Sequence, residues 1–283
     1  MNLKNYYIFK MMIFLTSVKK MIKSTAYFIN SIVKEIADAF YWSKLPNNEF
    51  TNKGFVIIEN FLDSDLCDEL VQVGIQNTKE KSQMIDDNVW INVRAEASDG
   101  KDSKVKNIFN FNLLNKKLDD LINSNVLEEK LEEQLGDKVI LKTCSLQIDE
   151  PDTRTKRSWH VDRNPPPTFK AFIYLTDVDS ELEGPYCAIP GSHKWRLKRL
   201  LNIFTNLATG EKRSDMHRYI GERDDFFLAK KGTLIFSTQT LFHRGSPKHD
   251  RKTRYMLINY FKAAKYDDGK DFELGKPEEW MMN

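Results

Sequence analysis

Cysteine is scarce in this chain, and its pattern excludes two classes of protein at once. Cys67, Cys144 and Cys187 are an odd number, far apart, with no Cys-x-x-Cys pair. That rules out a disulfide framework and a cysteine zinc site, and it makes a reducing compartment, the cytoplasm, the natural expectation. An excess of one charge is also missing. The 43 Lys and Arg against 41 Asp and Glu leave a formal net charge of +2, which gives no basis for nucleic-acid binding. Long apolar runs are absent as well: Tyr6 to Leu15 is apolar but short and contains Lys10. A membrane span needs about 20 such residues. No small-x-small cleavage site follows convincingly, and no internal repeat or low-complexity tract occurs. What is present is 41% hydrophobic and 12% aromatic residues over 283 positions. That is ordinary globular composition, and enough chain for one large domain with appendages.

The text divides into an N-terminal extension over 1–45, a main domain over 46–265 and a C-terminal tail over 266–283. In the extension, Ala26, Ile29, Ile32, Val33, Ile36, Ala37 and Phe40 recur at helical spacing, with Lys23, Lys34 and Glu35 off the stripe. The favoured expectation is an amphipathic helix whose stripe packs on the domain. The competing one is an interfacial helix, with Lys10, Lys19, Lys20 and Lys23 near anionic lipid, and hence peripheral membrane contact. Lys44 to Thr51 reads as a boundary. A strand is expected over 54–62, and a helix capped by Asp63 or Ser64 through about Thr78. Residues 88–112 mix short apolar runs with a loop at 98–102, and Leu113 to Leu135 is helical in pattern. From Val139 the text turns to short strands at 139–148, 169–176, 186–189, 226–229, 233–237 and 254–261. Helices followed by many short strands suit a mainly β sandwich or jelly roll with helices outside. A lid-like insertion is expected at about 195–225. Its basic residues Lys212, Arg213, His217, Arg218 and Arg223 suit either a solvated lid or the recognition of an anionic substrate group.

Trp159-His160-Val161-Asp162 and His243 carry the chemistry. In an extended strand, residues two apart point the same way, so His160 and Asp162 can reach one ion, and a third ligand must come from elsewhere. Two imidazoles and one carboxylate are the set that holds non-haem Fe(II) on one face with the opposite positions open. Alone, His-x-Asp is a weak signal. The flanking text makes it stronger: Gly54 to Leu62; Trp159 to Asp162; Gly184-Pro185-Tyr186-Cys187-Ala188-Ile189-Pro190-Gly191-Ser192-His193-Lys194; and Gly232 through His243 to Arg254.

In these four blocks, and in their order, the chain resembles the phytanoyl-CoA dioxygenase family of Fe(II)/2-oxoglutarate-dependent oxygenases, over roughly residues 50–262. The resemblance implies a double-stranded β-helix (jelly-roll, cupin-like) core. It makes His160, Asp162 and His243 the metal ligands and catalytic centre, with Fe(II), 2-oxoglutarate and O2 as cofactor and cosubstrates. Arg254 matches the arginine that pairs with the distal carboxylate of 2-oxoglutarate, and a guanidinium suits that carboxylate with two parallel bonds. Its rival, Arg251, reads better as a solvated loop charge. Ser246 and Gln147 are further candidate contacts, and His193 reads as structural within a tight turn. The implied reaction is hydroxylation of an unactivated C–H of a small-molecule or carrier- or lipid-linked substrate, with release of succinate and carbon dioxide. Asp162 leaves no room for the halide of a halogenase. The alternatives are a non-catalytic jelly-roll binding module and a metal-dependent cupin-type enzyme that does not use 2-oxoglutarate.

Overall fold

The computed structural model describes residues 3–94, 104–151, 159–162, 167–210, 225–246 and 248–269, with side chains described from Lys23 onward. The basic stretch at 211–224, the loop at 98–102 and the tail beyond 269 lie outside the described residues.

Two antiparallel sheets face each other. The larger has eight strands: β1 (Phe55–Ile58), β2 (Gln83–Asp86), β3 (Val89–Arg94), β4 (Val105–Phe109), β5 (Val139–Asp149), β6 (Thr168–Tyr174), β9 (Leu234–Thr238) and β11 (Arg254–Ala263), in the order β1-β9-β6-β11-β5-β4-β3-β2. The smaller has three: β7 (Tyr186–Ala188), β8 (Asp225–Phe226) and β10 (His243–Gly245), in the order β10-β7-β8. This is the mainly β, jelly-roll architecture expected of the sequence.

Alternation along the strands of the large sheet creates its two faces. On β6, Phe169, Ala171 and Ile173 join Phe50, Leu70, Leu131 and Phe261 in the main core beneath the helices. Phe172 and Tyr174 face the small sheet and pack with Tyr186, Phe227 and Met256 in a second core. The covering helices are α2 (Glu49–Lys53), α3 (Ser64–Asn77), α4 (Lys116–Asn123) and α5 (Val126–Leu135). The Asp63 side chain caps α3 by accepting from Asp65 N at 2.8 Å, as its position before the helix suggested. Gly54 ends α2 at φ 87°, and a Cβ there would lie 2.6 Å from His193 Nδ1, so only glycine turns the chain into β1 against that ring.

Several expectations change. The strand expected over 54–62 is only Phe55–Ile58. The segment 88–112 holds β3 and β4, which pair in register from Trp90↔Phe109 to Arg94↔Val105. The helical stretch 113–135 breaks between α4 and α5, where Asn125 adopts φ 59°.

The main correction concerns the N-terminal helix α1 (Leu3–Trp42) and its neighbour α6 (Arg196–Thr209). α1 does lie against the domain, but the stripe expected to pack does not. Ile29, Val33, Ile36 and Phe40 are exposed, while Ser31, Asp38, Tyr41 and Trp42 are buried. The reason is the partner surface. α6 presents Arg199, Asn202 and Asn206 inward, and Arg199 clasps Glu35 through Nε and Nη2 at 2.9 and 2.5 Å. No helix among the described residues is long and apolar enough to cross a membrane.

Candidate metal centre

β-Sheet geometry brings the three expected ligands together. His160 forms a β-bridge with His243, and their backbones exchange two hydrogen bonds of 3.0 Å. Asp162 N donates to Gln239 O at 3.0 Å, so the chain around His160 and Asp162 is tied to the turn between β9 and β10. The two imidazole rings are 4.3 Å apart, and one ligand atom from each of His160, Asp162 and His243 falls within 4.8 Å of the others. Nδ1 of His243 lies 2.8 Å from the Leu241 carbonyl. Donating its proton there leaves the Nε2 lone pair free to bind a cation, the usual way a backbone group fixes a ligating tautomer. Burial holds His243 below the ordinary histidine range, against the opposing pull of Asp162. At Asp162, burial works to raise the pKa. The charge of Lys170 and the contacts with His243 and His160 outweigh it and hold the carboxyl well below its usual range. A neutral imidazole and an ionised carboxylate are the protonation states a divalent metal requires. The donor set therefore fits a two-histidine, one-carboxylate centre.

One wall of the site follows directly from alternation. Ser145, Gln147 and Asp149 on β5, Lys170 and Phe172 on β6, and Arg254, Met256 and Ile258 on β11 point to the same face of the large sheet. They line one cavity of about 240 Å³ together with His160, Asp162, His243 and Ser246. All six residues expected at the site thus border a single space. Arg254 is buried at its rim. Its Nε and Nη2 donate to Asp149 Oδ2 at 2.9 and 2.5 Å, and Nη1 donates to the Gly184 carbonyl. Gln147 faces the cavity, as its strand position suggested. Its Nε2 donates to both Asp149 oxygens at 3.0 and 3.1 Å, so it braces the carboxylate that braces Arg254. Ser246 is buried on the cavity wall, with its backbone N on the Pro185 carbonyl at 2.9 Å and its Oγ 3.9 Å from Cys187 Sγ.

Two charged residues here were not singled out from the sequence. Asp149 lies two positions after Gln147 on the same strand face and is the direct register partner of Arg254. The i, i+2 spacing was the available signal. Lys170 stands in the otherwise apolar strand β6 and bonds Asp162, with its ammonium 5.1 Å from the Tyr260 ring centroid. A lysine inside a buried strand was its signal. Arg251, the rival to Arg254, is exposed. His193 is fully buried in the main turn, with Nε2 3.1 Å from the Thr51 carbonyl and the Trp42 ring at 4.5 Å, which is the structural part expected of it.

A double-stranded β-helix in which His243 of the small sheet, the bridged His160 and Asp162 converge opposite an arginine of the large sheet has the build of the cupin-like non-haem oxygenase class. Residues 50–256 match the phytanoyl-CoA dioxygenase family, and the chain belongs to that family. Solved structures agree on the fold. HygX from Streptomyces hygroscopicus, with nickel and 2-oxoglutarate bound, aligns at TM-score 0.51 and 13% identity over 76% of this chain and 85% of that one. The non-haem α-ketoglutarate-dependent epimerase SnoN of nogalamycin biosynthesis aligns at 0.56 and 16%, over 81% and 84%. The carbocyclase SnoK of the same biosynthesis aligns at 0.55 and 15%, over 79% and 86%. No curated relative matches the chain.

Proposed function

We propose that this protein is an Fe(II)- and 2-oxoglutarate-dependent dioxygenase that hydroxylates a C–H bond of a small molecule. One observation carries the reading: His160, Asp162 and His243 converge in the same cavity that Arg254 borders. Membership of a dioxygenase family supports it. When bound, the metal and 2-oxoglutarate supply the oxidising power, with one oxygen atom of O2 entering succinate and carbon dioxide leaving.

The chain's own residues supply position and charge. His160, Asp162 and His243 would hold the cation. Lys170, bonded to Asp162, keeps that carboxylate ionised and fixes its orientation. Arg254, buried and held from behind by Asp149, offers its remaining N–H groups to the distal carboxylate of 2-oxoglutarate. Phe172, Met256 and Ile258 give the cavity apolar walls that exclude water. The substrate fills the remaining space, and a ring of such mixed polarity suits a small molecule better than a polymer.

The test is anaerobic addition of Fe(II) and 2-oxoglutarate, followed by O2 and analysis for succinate. A visible charge-transfer band, lost in His243→Ala and weakened in Arg254→Met, is expected, with O2-dependent succinate in the wild type alone. Product masses then separate the outcomes. One added oxygen atom means hydroxylation, two lost hydrogens mean desaturation or ring closure, and an unchanged mass means epimerisation. Metal-loaded, folded protein with no band would overturn the oxygenase reading in favour of a binding module or a cupin-type enzyme.

A further inference from the structure

The helices α1 and α6 are built inside out. An amphipathic helix on a globular protein turns its apolar stripe to the core. Here the buried positions are mostly polar, beside Ile203 and the terminal Tyr41 and Trp42. Glu35 and Asp38 of α1 meet Arg199 of α6, where Arg199 makes three hydrogen bonds to Glu35 and lies 3.5 Å from Asp38, and Arg196 also reaches Asp38 at 3.5 Å. The outward faces are apolar. On α1, Ile29, Val33, Ile36 and Phe40 follow one another at helical spacing, and on α6 Leu197, Leu201 and Phe204 do the same. These side chains are between 54% and 71% exposed. The Phe28 and Phe204 rings, 5.6 Å apart and edge to face, join the two helices. Seven large apolar side chains are thus exposed in two helical stripes on one contacting pair of helices, unlike scattered exposed leucines.

Charge says what covers it. Residues 1–34 contain Lys4, Lys10, Lys19, Lys20, Lys23 and Lys34, and no Asp or Glu precedes Glu35. α6 adds Lys198 and no carboxylate, its Arg196 and Arg199 being paired to Glu35 and Asp38 on the inner side. A second copy would bring the same positive charge face to face, whereas anionic headgroups neutralise it while the acyl boundary takes the apolar side chains. We infer that the α1–α6 face docks this protein on an anionic membrane surface, with the two helices lying in the interface. The surface does not depend on the catalytic reading. Its placement matters to that reading all the same, because a cavity of about 160 Å³ between the helices, lined by Lys34, Glu35, Arg199 and Asp162, backs onto the metal-ligand set.

The experiment is flotation of the full chain with vesicles of phosphatidylcholine alone and of phosphatidylcholine mixed with phosphatidylglycerol, at low and high salt. Wild type is expected to float with the anionic vesicles, weakly with the neutral ones, and less at high salt. The double change Ile36→Ser and Leu197→Ser should lower the bound fraction by roughly tenfold or more, since two exposed apolar side chains are lost. It should leave the circular dichroism melt unaltered, because both positions face outward. Absence of wild-type binding to anionic vesicles overturns the inference. Equal binding by the double variant also overturns it, because the attraction would then be the lysines' alone. A wild-type dimer in light scattering that the double change converts to monomer, without vesicle binding, assigns the face to a second copy instead.

Discussion

At the residue scale, Asp149 decides how Arg254 stands. An arginine buried this deeply needs a counter-charge, and the Asp149 carboxylate, itself held by Gln147, supplies it at 2.5 to 2.9 Å. Removing one partner of a buried pair leaves the other charge uncompensated, which costs about 3–5 kcal/mol. Asp149→Asn is therefore expected to destabilise the fold by roughly that amount. It should also raise the 2-oxoglutarate concentration at half saturation about tenfold, the effect of losing ~1.4 kcal/mol of orientation. Denaturant titration and a 2-oxoglutarate binding isotherm check the two parts. An unchanged isotherm would mean that Gly184 and the strand alone orient Arg254.

At the scale of elements, the turn from Pro190 to Lys194 is a joint between three parts of the chain. Gly191 N donates to the Lys53 carbonyl at the end of α2, His193 reaches Thr51 in the middle of that helix, and the Trp42 ring at the end of α1 lies 4.5 Å from the imidazole. His193 Nε2 donates to the Thr51 carbonyl, and its buried Nδ1 has no hydrogen-bond partner among the described residues. A second proton there would be a buried charge with no acceptor, so burial pushes the histidine down to about 3. The sign follows. Below the ordinary value of 6.5 the unfolded chain takes up a proton that the folded one refuses, and stability falls as pH drops from there toward about 3. The slope is about 1.4 kcal/mol per pH unit from this one group. Denaturant melts between pH 7 and 4 should show a steeper loss in wild type than in His193→Gln. Parallel curves would mean that His193 is protonated in the native state.

For the whole molecule, the site exists only because two sheets face each other. His243 belongs to the small sheet and His160 is bridged to it, whereas Arg254, Asp149 and Lys170 belong to the large one. A cation held by ligands that only the folded chain assembles must stabilise the fold. At about 100 times its dissociation constant, the gain is roughly 2.7 kcal/mol. Ni(II), which is not oxidised by air, should raise the melting temperature of wild type and leave His160→Ala and His243→Ala unmoved. An equal rise in all three proteins would place the metal elsewhere.

The sequence by itself determined the candidate ligand set, its family setting and the jelly-roll class. These are local: the two-residue spacing of His160 and Asp162 lets both reach one ion, although only His160 makes a bridge and neither lies in a named strand, and the Pro-Gly-Ser-His-Lys turn carries its own backbone preferences. It also determined that α1 would be amphipathic. Which face of α1 would be buried was decided by the tertiary structure, because periodicity shows that a stripe exists and says nothing about what covers it. Arg199 outcompeted the apolar stripe by offering Glu35 and Asp38 a buried counter-charge. The bracing of Arg254 by Asp149 was equally out of reach, since 105 residues separate them along the chain and only the pairing of β5 with β11 makes them neighbours. Contacts between distant segments are set by register and packing, which no local pattern records.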